Sequence, residues 1–391
     1  MVGLTTVATL VVAAAASLFM AWAIGAGSSG STPFAPAVGA NAIGVMRAGF
    51  VVGILGLLGA VLQGANVTEA VGRQLIEGVA LTPAAAVIGL TTAAVLVAIG
   101  VFSGYPIATA FTVTGATVGV GLALGGAPAW PKYIEIMSLW LALPFVGGGI
   151  AYGTARLLRN ERVAERLAVP MLGAIVAVIL VNVEFVLLGG AGGAASLART
   201  LGRPLPVGRL LVSLGAAIAA GGSLYRQMVA NPTVGQRRFL VVLGGLVAFS
   251  AGGSQVGLAL GPLVPLLDEL TVAIPLTLLL VGGGVGLLLG SWMGAPRLIK
   301  ALAQDYSSLG PRRSIAALIP SFAIAQLAVF FAVPVSFNEI IVSAIVGSGY
   351  AADGGGGVSG RKMYYTLVAW VGSLVGAGVI AFGLMSLVRW L

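Results

Sequence analysis

Four stretches rich in glycine, proline, serine and threonine interrupt an otherwise apolar chain. They are IGAGSSGST, YPIAT, AFSAGGSQVG and VPVSFNE, which begin at Ile24, Tyr105, Ala248 and Val333. Unpaired N–H and C=O groups in lipid cost several kcal/mol each, so such stretches must be buried in protein or line a wet cavity. The N-terminus of an interrupted helix offers free N–H groups and a positive dipole end, which suit an oxyanion. Exposed carbonyls and hydroxyls suit a small hard cation such as Na⁺.

Long apolar runs must position these stretches. Hydrophobic residues make up 59% of the 391 residues and charged residues only 8%, whereas about a quarter of a soluble domain is charged. Most runs reach the roughly 17–25 residues that a helix needs to span hydrocarbon. The first is a membrane helix rather than a cleaved signal peptide, because no basic residue precedes Leu4. The sequence therefore predicts an all-α polytopic membrane protein with the runs Leu4–Ile24, Ile43–Leu62, Ala84–Phe102, Ile136–Leu158, Val169–Leu188, Val207–Leu224, Phe239–Ser250, Leu270–Trp292, Ile315–Val333 and Tyr365–Val388.

Two residue types that commonly catalyse reactions or bind metals are missing. The chain contains no Cys and no His, so it has no thiolate ligand and no histidine base. The glycine runs Gly282–Gly286 and Asp353–Gly360 are not nucleotide loops, because the first lies inside a span and the second lacks the Lys-Ser/Thr ending. We therefore expect no enzyme, no catalytic residue, no metal centre and no cofactor.

The basic residues predict how the chain is oriented. With the N-terminus outside, 14 Lys and Arg side chains fall on the cytoplasmic side and six fall outside, at Arg73, Lys132, Arg199, Arg203, Arg209 and Arg389. The net charge of +9 is then a topological signal and requires no nucleic-acid partner. We expect a multi-pass protein of the plasma membrane with both termini extracellular.

Landmarks recur at matching distances in the two halves of the chain. From Gly25 to the proline of YPIAT is 81 residues, and from Gly252 to the proline of VPVSFNE is 82. A tryptophan follows each proline, after 34 and 36 residues. The loop 64–82 has one Arg and two Glu, while its counterpart 295–313 has four basic residues and one Asp. Equivalent loops on opposite faces predict two inverted-topology repeats with broken or re-entrant helices. The predicted repeats are 1–167 and 236–391, joined by transmembrane segments in 168–235.

Interrupted helices at corresponding points of two inverted halves are typical of the substrate site of a transporter. Each stretch alone has a simpler explanation, since small residues also form flexible loops or allow helices to pack closely. Because the four stretches match in pairs, we favour a ligand site between broken helices.

These motifs resemble those of the inorganic phosphate transporter (PiT) family over almost the whole chain. IGAGSSGS and AFSAGGSQVGLALGP lie where that family has its two Gly-Ala-Asn-Asp motifs. PVSFNEIIVSAIVG matches the second of its Pro-Val-Ser-Thr-Thr-His motifs, and YPIATAFTVTGATVG matches the first more loosely. The resemblance implies uptake of phosphate coupled to Na⁺ or H⁺.

The chain differs from the family at the motif residues that carry ionisable side chains. Gly27–Ser28 and Ser254–Gln255 stand where the family has Asn-Asp, and Phe111 and Glu339 stand at the two histidine positions. In the family, the aspartates belong to the cation and phosphate site. The coupling ion of this chain therefore stays open between Na⁺ and H⁺.

The resemblance and the remaining polar groups together predict the site. Hydroxyl groups can bind a tetrahedral oxyanion without the repulsion that a carboxylate would impose on it. Glu339, with Asn338 beside it, is expected to carry a proton or coordinate a cation; alternatively, it complements the dipole of a helix start. The expected anion contacts are Gly27, Ser28, Ser29, Ser31, Thr32, Thr109, Gly253, Ser254, Gln255 and Ser336.

We expect a secondary active transporter that moves inorganic phosphate by cation-coupled alternating access, works in the lipid bilayer and forms a homodimer. The alternatives are an H⁺-coupled permease for sulfate or another oxyanion, and a channel or non-transporting scaffold with the same fold. Glu184, in VILVNVEFVLL, is a second acid at membrane depth. It lies away from all four stretches, so we assign it a structural or peripheral role.

Overall fold

The computed structural model describes residues 4–189, 194–267, 274–353 and 357–390, and most of these residues are helical. Within these ranges, ten helical segments are long and apolar enough to cross a membrane. Each corresponds to one of the ten apolar runs of the sequence, which confirms the prediction of an all-α polytopic membrane protein.

Seven helices lie between Leu4 and Arg159. They are α1 (Leu4–Ile24), α2 (Ala35–Gly39), α3 (Val45–Gln63), α4 (Ala65–Arg73), α5 (Pro83–Ser103), α6 (Thr109–Ala123) and α7 (Trp130–Arg159). A π-helical turn, Gly25–Ser29, continues α1. A short hairpin pairs β1 (Ile76–Glu77) with β2 (Ala127–Pro128) in antiparallel fashion.

The middle of the chain adds α8 (Glu165–Asn182), α9 (Val186–Gly189), α10 (Leu197–Gly202) and α11 (Gly208–Ala230). Between them β3 (Glu184–Phe185) pairs antiparallel with β4 (Ala195–Ser196). The second half contains α12 (Pro232–Leu260), a 3₁₀ turn at Gly261–Leu263, α13 (Val264–Leu267), α14 (Leu276–Met293), α15 (Ala295–Gln304), α16 (Pro311–Phe330), α17 (Phe337–Asp353) and α18 (Gly360–Trp390). The predicted boundaries at 168 and 236 fall near the starts of α8 and α12, and the division into repeats stays a prediction.

Local sequence signals explain where two of the long helices begin. The Thr82 hydroxyl accepts a hydrogen bond from the N–H of Ala85 (3.2 Å) at the start of α5. The Asn231 side chain accepts one from the N–H of Val234 (3.1 Å) at the start of α12. Both satisfy N–H groups that have no partner within the helix, and a proline with helical φ follows each cap. The apolar composition of the residues that follow then determines that each helix crosses the membrane.

The two halves exchange helices. α6 packs along α18, and α7 packs along α17. Gly119 and Gly347, each 13 residues after the proline of its stretch, lie at these contacts. A Cβ atom at Gly119 would be 2.2 Å from the carbonyl oxygen of Gly378, and one at Gly347 would be 2.1 Å from that of Gly148. The same backbone-to-backbone contact therefore occurs twice, once in each exchanged pair, as small residues permit in membrane helices.

The helix break predicted within AFSAGGSQVG is wrong. α12 continues through this stretch as an α-helix to Leu260, and the irregular backbone is the 3₁₀ turn that follows it. The glycines serve close packing instead: a Cβ atom at Gly252 would lie 1.9 Å from the carbonyl oxygen of Gly56 in α3. A Cβ atom at Gly257 would lie 2.7 Å from the backbone of α4. In this stretch the small residues therefore allow helices to pack closely, which is the simpler explanation for such a stretch.

The two stretches that contain a proline, YPIAT and VPVSFNE, do interrupt helices. Tyr105–Ala108 and Val333–Ser336, called the proline segments below, link α5 to α6 and α16 to α17 without regular hydrogen bonding. Two positions before each proline the backbone is left-handed, with φ of 76° at Gly104 and 52° at Ala332. Glycine adopts this conformation freely, whereas a residue with a Cβ atom is strained in it.

This difference predicts opposite effects of two substitutions. Gly104→Ala is expected to lower the free energy of unfolding by about 1 kcal/mol, and Ala332→Gly to raise it by up to about 1 kcal/mol. A Cβ atom at Gly104 would have no neighbour within 4 Å, so only backbone strain contributes there. Thermal unfolding of the purified protein in detergent measures both changes. A lower melting temperature for Ala332→Gly would contradict the assignment of strain.

Candidate functional site

The first stretch forms a π-helical turn at the end of α1. Gly25–Ser29 is buried, and the carbonyl of Ser28 ends the turn by accepting hydrogen bonds from the N–H groups of Ser31 and Thr32, both at 3.0 Å. The hydroxyls of Ser31 and Thr32 donate to the same carbonyl, at 3.2 and 3.0 Å. Single π turns are frequent at functional sites because they turn helical backbone groups out of register.

Two glycines allow this turn to lie against the second half of the protein. A Cβ atom at Gly25 would lie 2.1 Å from the carbonyl oxygen of Leu287 in α14. A Cβ atom at Gly30 would lie 2.0 Å from the carbonyl oxygen of Gly25 and 2.4 Å from the hydroxyl of Ser291. That hydroxyl donates to the Leu287 carbonyl (2.7 Å) and to that of Gly25 (3.3 Å). The turn is thus fixed by contacts that leave no room for larger residues.

Each proline segment ends at the start of a helix. The first backbone hydrogen bond of α6 runs from the N–H of Thr112 to the carbonyl of Ala108 (3.0 Å), and that of α17 from Ile340 to Ser336 (3.1 Å). The N–H groups before these positions lack a helical acceptor, and no side chain caps α6. Both helix N-termini are buried and carry the positive end of their dipoles.

Gln255 of α12 connects the second proline segment to the start of α6 and to the π turn. Its Oε1 atom accepts hydrogen bonds from the hydroxyls of Thr109 (2.7 Å) and Ser28 (3.1 Å). Its Nε2 atom donates to the carbonyl of Val335 at 2.5 Å. Thr109 and Ser28 are also neighbours, with their oxygens 3.5 Å apart. The structure therefore brings together residues that lie 81, 146 and 227 positions apart in the chain.

Asn338, in the first turn of α17, makes the corresponding link to the first half. Its Nδ2 atom donates to the carbonyl of Gly27 (2.8 Å) and to that of Ile107 (2.5 Å). The N-termini of α6 and α17 therefore approach each other around the π turn. Helix N-termini that face a common point form a favourable environment for an anion.

A pair of tryptophans supports the proline segments from the exchanged helices. Trp370 donates its indole N–H to the carbonyl of Pro106 (2.7 Å), and Trp140 donates to the carbonyl of Pro334 (3.1 Å). Each tryptophan belongs to the half opposite its proline. Phe111 stacks on Trp140 with ring centroids 3.9 Å apart. The sequence shows the matching tryptophan spacing, but not that each indole binds the other half's proline segment.

Several buried polar atoms of the site have no hydrogen-bond partner. Nine such side-chain atoms occur in the described residues, and five of them belong to predicted site residues: Ser29 Oγ, Ser254 Oγ, Ser336 Oγ, Asn338 Oδ1 and Glu339 Oε2. A buried polar group without a partner costs free energy, so such groups are rare in folded proteins. Their concentration at these stretches leaves several hydrogen-bonding groups available to a ligand.

Glu339 is the acid nearest to this network. Only 1% of its surface is exposed, and in the described ranges it has no ion pair within 4 Å. It occupies the first turn of α17, next to Asn338. An unpaired carboxylate is expensive to bury, so the group needs a proton or a bound cation.

The predicted residues thus divide by position. Ser28, Thr109 and Gln255 form one hydrogen-bonded network, and Asn338 binds the carbonyl of Gly27, the residue next to Ser28 in the chain. The hydroxyls of Ser31 and Thr32 donate hydrogen bonds to the Ser28 carbonyl and so belong to the end of the helix. Gly253 packs against α3, where a Cβ atom would lie 2.8 Å from the Gln63 side chain.

A second polar cluster adjoins the site and has no counterpart in the sequence predictions. Gln326 donates to the hydroxyl of Ser250 (2.6 Å) and to Oε1 of Gln63 (3.2 Å), and both glutamines are buried. Gln63 in turn donates to the backbone carbonyl of Glu184 (3.0 Å). The cluster borders a largely apolar cavity of about 370 Å³ between α3, α8 and α16. Glu184 lines this cavity and lies outside the network of Gln255.

The groups of the site are of the kinds that bind ions reversibly. The site combines helix N-termini, neutral hydroxyls and amides with a single buried carboxyl group. In the described part of the chain, no cluster of three or more His, Cys, Asp or Glu side chains could hold a metal ion. The neutral groups can surround an oxyanion, and the carboxyl can take up a cation.

The chain resembles proteins named for phosphate transport over nearly its whole length. A model of the phosphate transporter family matches residues 24–381. A protein of Pyrococcus furiosus, named as a candidate phosphate permease, is 26% identical over 388 residues, which cover 93% of this chain and 92% of that protein. The chloroplastic inorganic phosphate transporter 2-1 of Arabidopsis thaliana is 24% identical, covering 85% of this chain and 64% of that protein. A solved structure described as the sodium-dependent phosphate transporter has the same fold, with a TM-score of 0.83 at 21% identity, and the match covers 98% of this chain and 100% of that one.

Proposed function

The chain belongs to the phosphate transporter family, and from this premise we propose that it moves inorganic phosphate across the plasma membrane by cation-coupled alternating access. The observation that carries the proposal is the meeting of the N-termini of α6 and α17, from opposite halves, around Gln255. A substrate placed there contacts both halves at once. Relative movement of the halves would then expose it to one side of the membrane or the other.

We assign the anion to the backbone N–H groups of these two helix starts and to the hydroxyls of the network. Oε1 of Gln255 accepts two hydroxyl hydrogen bonds, from Thr109 and Ser28. A phosphate oxygen is a stronger acceptor than an amide oxygen because it is charged, so it can take over these donors. Ser29 and Ser336, whose hydroxyls have no partner, supply two further donors.

We assign the coupling ion to Glu339 and Asn338. The Asn338 Oδ1 atom and a Glu339 oxygen are both buried without partners, and both are ligands that suit Na⁺. The same carboxyl group can instead carry a proton across the membrane. The name of one similar protein, the sodium-dependent phosphate transporter, favours Na⁺, whereas the neutral Ser28 and Gln255 at the family's aspartate positions favour H⁺.

A permease for sulfate is the second candidate, and the same neutral residues favour it. Phosphate exchanges a proton near neutral pH, and a carboxylate can accept a hydrogen bond from its protonated oxygen. Gln255 and Ser28 offer no carboxylate for that purpose. A site of neutral donors can therefore bind a fully ionised anion such as sulfate as well as it binds phosphate.

Uptake by proteoliposomes tests the proposal and separates the candidates. We expect labelled phosphate to accumulate when a Na⁺ or H⁺ gradient is imposed, and to fail to accumulate without one. Uptake of sulfate but not phosphate would overturn the choice of substrate. Equilibration without accumulation would indicate a channel, and no flux would indicate a scaffold. Homodimer formation and extracellular termini stay predictions that this assay does not address.

The hydroxyls of the site give a specific prediction for the same assay. Thr109→Ala combined with Ser336→Ala is expected to weaken the apparent affinity for phosphate by roughly tenfold or more, because hydrogen bonds to a charged group contribute about 1.5–3 kcal/mol each. Ser321→Ala is the matched control, since its buried hydroxyl bonds only to its own helix, at Ala317 (2.7 Å). Equal apparent affinity in the double variant and the control would refute the site assignment.

A further inference from the structure

Two lysines occupy equivalent places in the exchanged helices. Lys132 is the third residue of α7 and precedes Trp140 by eight positions; Lys362 is the third residue of α18 and precedes Trp370 by eight. Both side chains are mostly covered, with 15% and 17% of their surface exposed. The order of the spans and the distribution of the basic residues predict that the two lysines lie at opposite membrane faces. Lys362 lies with Arg297 and Arg312 on what we call the basic face, and Lys132 lies with Arg73 on what we call the opposite face.

The contacts of the two lysines differ, although those of the two tryptophans match. The Lys362 ammonium group donates to Asp305 (3.0 Å), at the end of α15, and to the carbonyl of Gly104 (3.5 Å). It also lies 4.3 Å from the ring centroid of Tyr105. Lys362 therefore fixes the start of the first proline segment, four residues before Thr109, and holds it against the second half.

Lys132 instead pairs with its own helix. Its ammonium group donates to both carboxylate oxygens of Glu135, at 3.1 and 3.0 Å. The equivalent of Gly104 in the second half is Ala332, which shares its left-handed backbone. No hydrogen bond joins Lys132 to Ala332 in the described structure. The second proline segment thus lacks the lysine contact that the first one has.

The position of the cavity agrees with this asymmetry. The cavity of about 370 Å³ beside Gln63 and Gln326 extends to Phe330, the last residue of α16, three residues before Val333, where the second proline segment begins. By the same prediction this end of α16 lies on the opposite face, where the lysine is not engaged. On the basic face, Lys362 and Tyr105 contact each other at the start of the first proline segment, which leads to Thr109.

We propose that Lys362 and Lys132 are alternating positioning residues. Lys362 holds the first proline segment when the basic face is closed, and Lys132 leaves Glu135 for the carbonyl of Ala332 when the opposite face is closed. The inference rests on the proposed alternating access and adds the contacts that stabilise its two states. Exchange between equivalent contacts follows if the two inverted halves exchange conformations.

The absence of Cys from the chain permits a direct test. A single cysteine at Ala108, a buried residue of the first proline segment, reports whether the basic face is open. A membrane-impermeant maleimide is applied to that face in vesicles of known orientation. Lys362→Met is expected to increase the labelling rate roughly fivefold, the scale of one partly covered ion pair with a cation–π contact. Lys132→Met is expected to decrease it, because it removes a contact made only when this face is open.

A second reporter distinguishes a shift between two states from a loosened fold. A cysteine at Ser336, in the second proline segment, is labelled from the opposite face, and there the two methionine variants should have reversed effects. Lys362→Arg, which keeps the charge, should label at close to the wild-type rate. The proposal is overturned if both methionine variants change labelling in the same direction or if neither changes it. Labelling needs no phosphate, and uptake is measured on the chain without the reporter cysteines because Ser336 belongs to the proposed anion site. Phosphate uptake with unchanged labelling would then refute only this inference, and shifted labelling without phosphate uptake would refute only the proposed substrate.

Discussion

Glu339→Gln is expected to reduce gradient-driven accumulation of phosphate to the level of protein-free liposomes. The side chain is 1% exposed and has a carboxyl oxygen without a partner. Because an unpaired charge is costly to bury, the carboxyl group must either bind a cation or take up a proton. Glutamine has the size of glutamate and the charge of its protonated form, but it can neither release a proton nor offer a charged ligand. The variant should still exchange internal for external phosphate, because exchange requires no net movement of the coupling ion.

The comparison of gradients identifies the ion. If the wild type accumulates phosphate under a proton gradient and the variant does not, Glu339 carries the proton. If wild-type accumulation depends on Na⁺ and the variant loses that dependence, Glu339 is a cation ligand. Glu184→Gln is the control, since Glu184 is partly exposed and lines the neighbouring cavity, and its uptake should equal that of the wild type. Full accumulation by Glu339→Gln would exclude the carboxyl group from coupling.

The exchanged helix pairs predict the largest effects on stability. Gly119→Ala and Gly347→Ala should each lower the free energy of unfolding by about 3 kcal/mol, the upper end of the usual cost of overpacking. The new methyl groups would meet backbone carbonyl oxygens at 2.2 and 2.1 Å, and backbone cannot move aside as a flexible side chain can. The double variant should fail to give a monodisperse protein in detergent.

A glycine in α18 provides the control for these substitutions. A Cβ atom at Gly376 would have no neighbour within 4 Å, so Gly376→Ala should keep or raise stability, by up to about 1 kcal/mol, through its better helix propensity. Thermal unfolding of all four variants under identical detergent conditions measures the difference. Melting temperatures of Gly119→Ala and Gly376→Ala that agree within error would contradict the contact between α6 and α18.

The membrane fold was predictable because the signal is local. A run of about 20 apolar residues identifies a span whatever its neighbours are, and ten runs correspond to ten helical segments of the described chain. The spacing of the landmarks also indicated which stretches belong together. Thr109 and Gln255, which lie 146 residues apart, share a hydrogen bond of 2.7 Å.

The parts that the sequence could not predict depend on neighbours distant in the chain. Glycine both breaks helices and allows close packing, and only the contact with Gly56 of α3 shows that Gly252 packs. A hydroxyl can face a ligand or its own backbone, so residue type alone did not show that Ser31 and Thr32 bind the Ser28 carbonyl. The matching spacing of Trp140 and Trp370 gave no indication that each would bind the other half.

The exchange of helices between the halves has a consequence for biosynthesis. Because α6 packs along α18, the surface of α6 that carries Gly115 and Gly119 has no partner until α18 has left the ribosome and entered the bilayer. The first half is therefore a set of inserted but incompletely packed helices for the whole of the remaining synthesis, and contacts between such distant segments form late. A nascent chain that stops before residue 360 lacks α18 altogether, so truncation at the C-terminus removes a structural element of the N-terminal half.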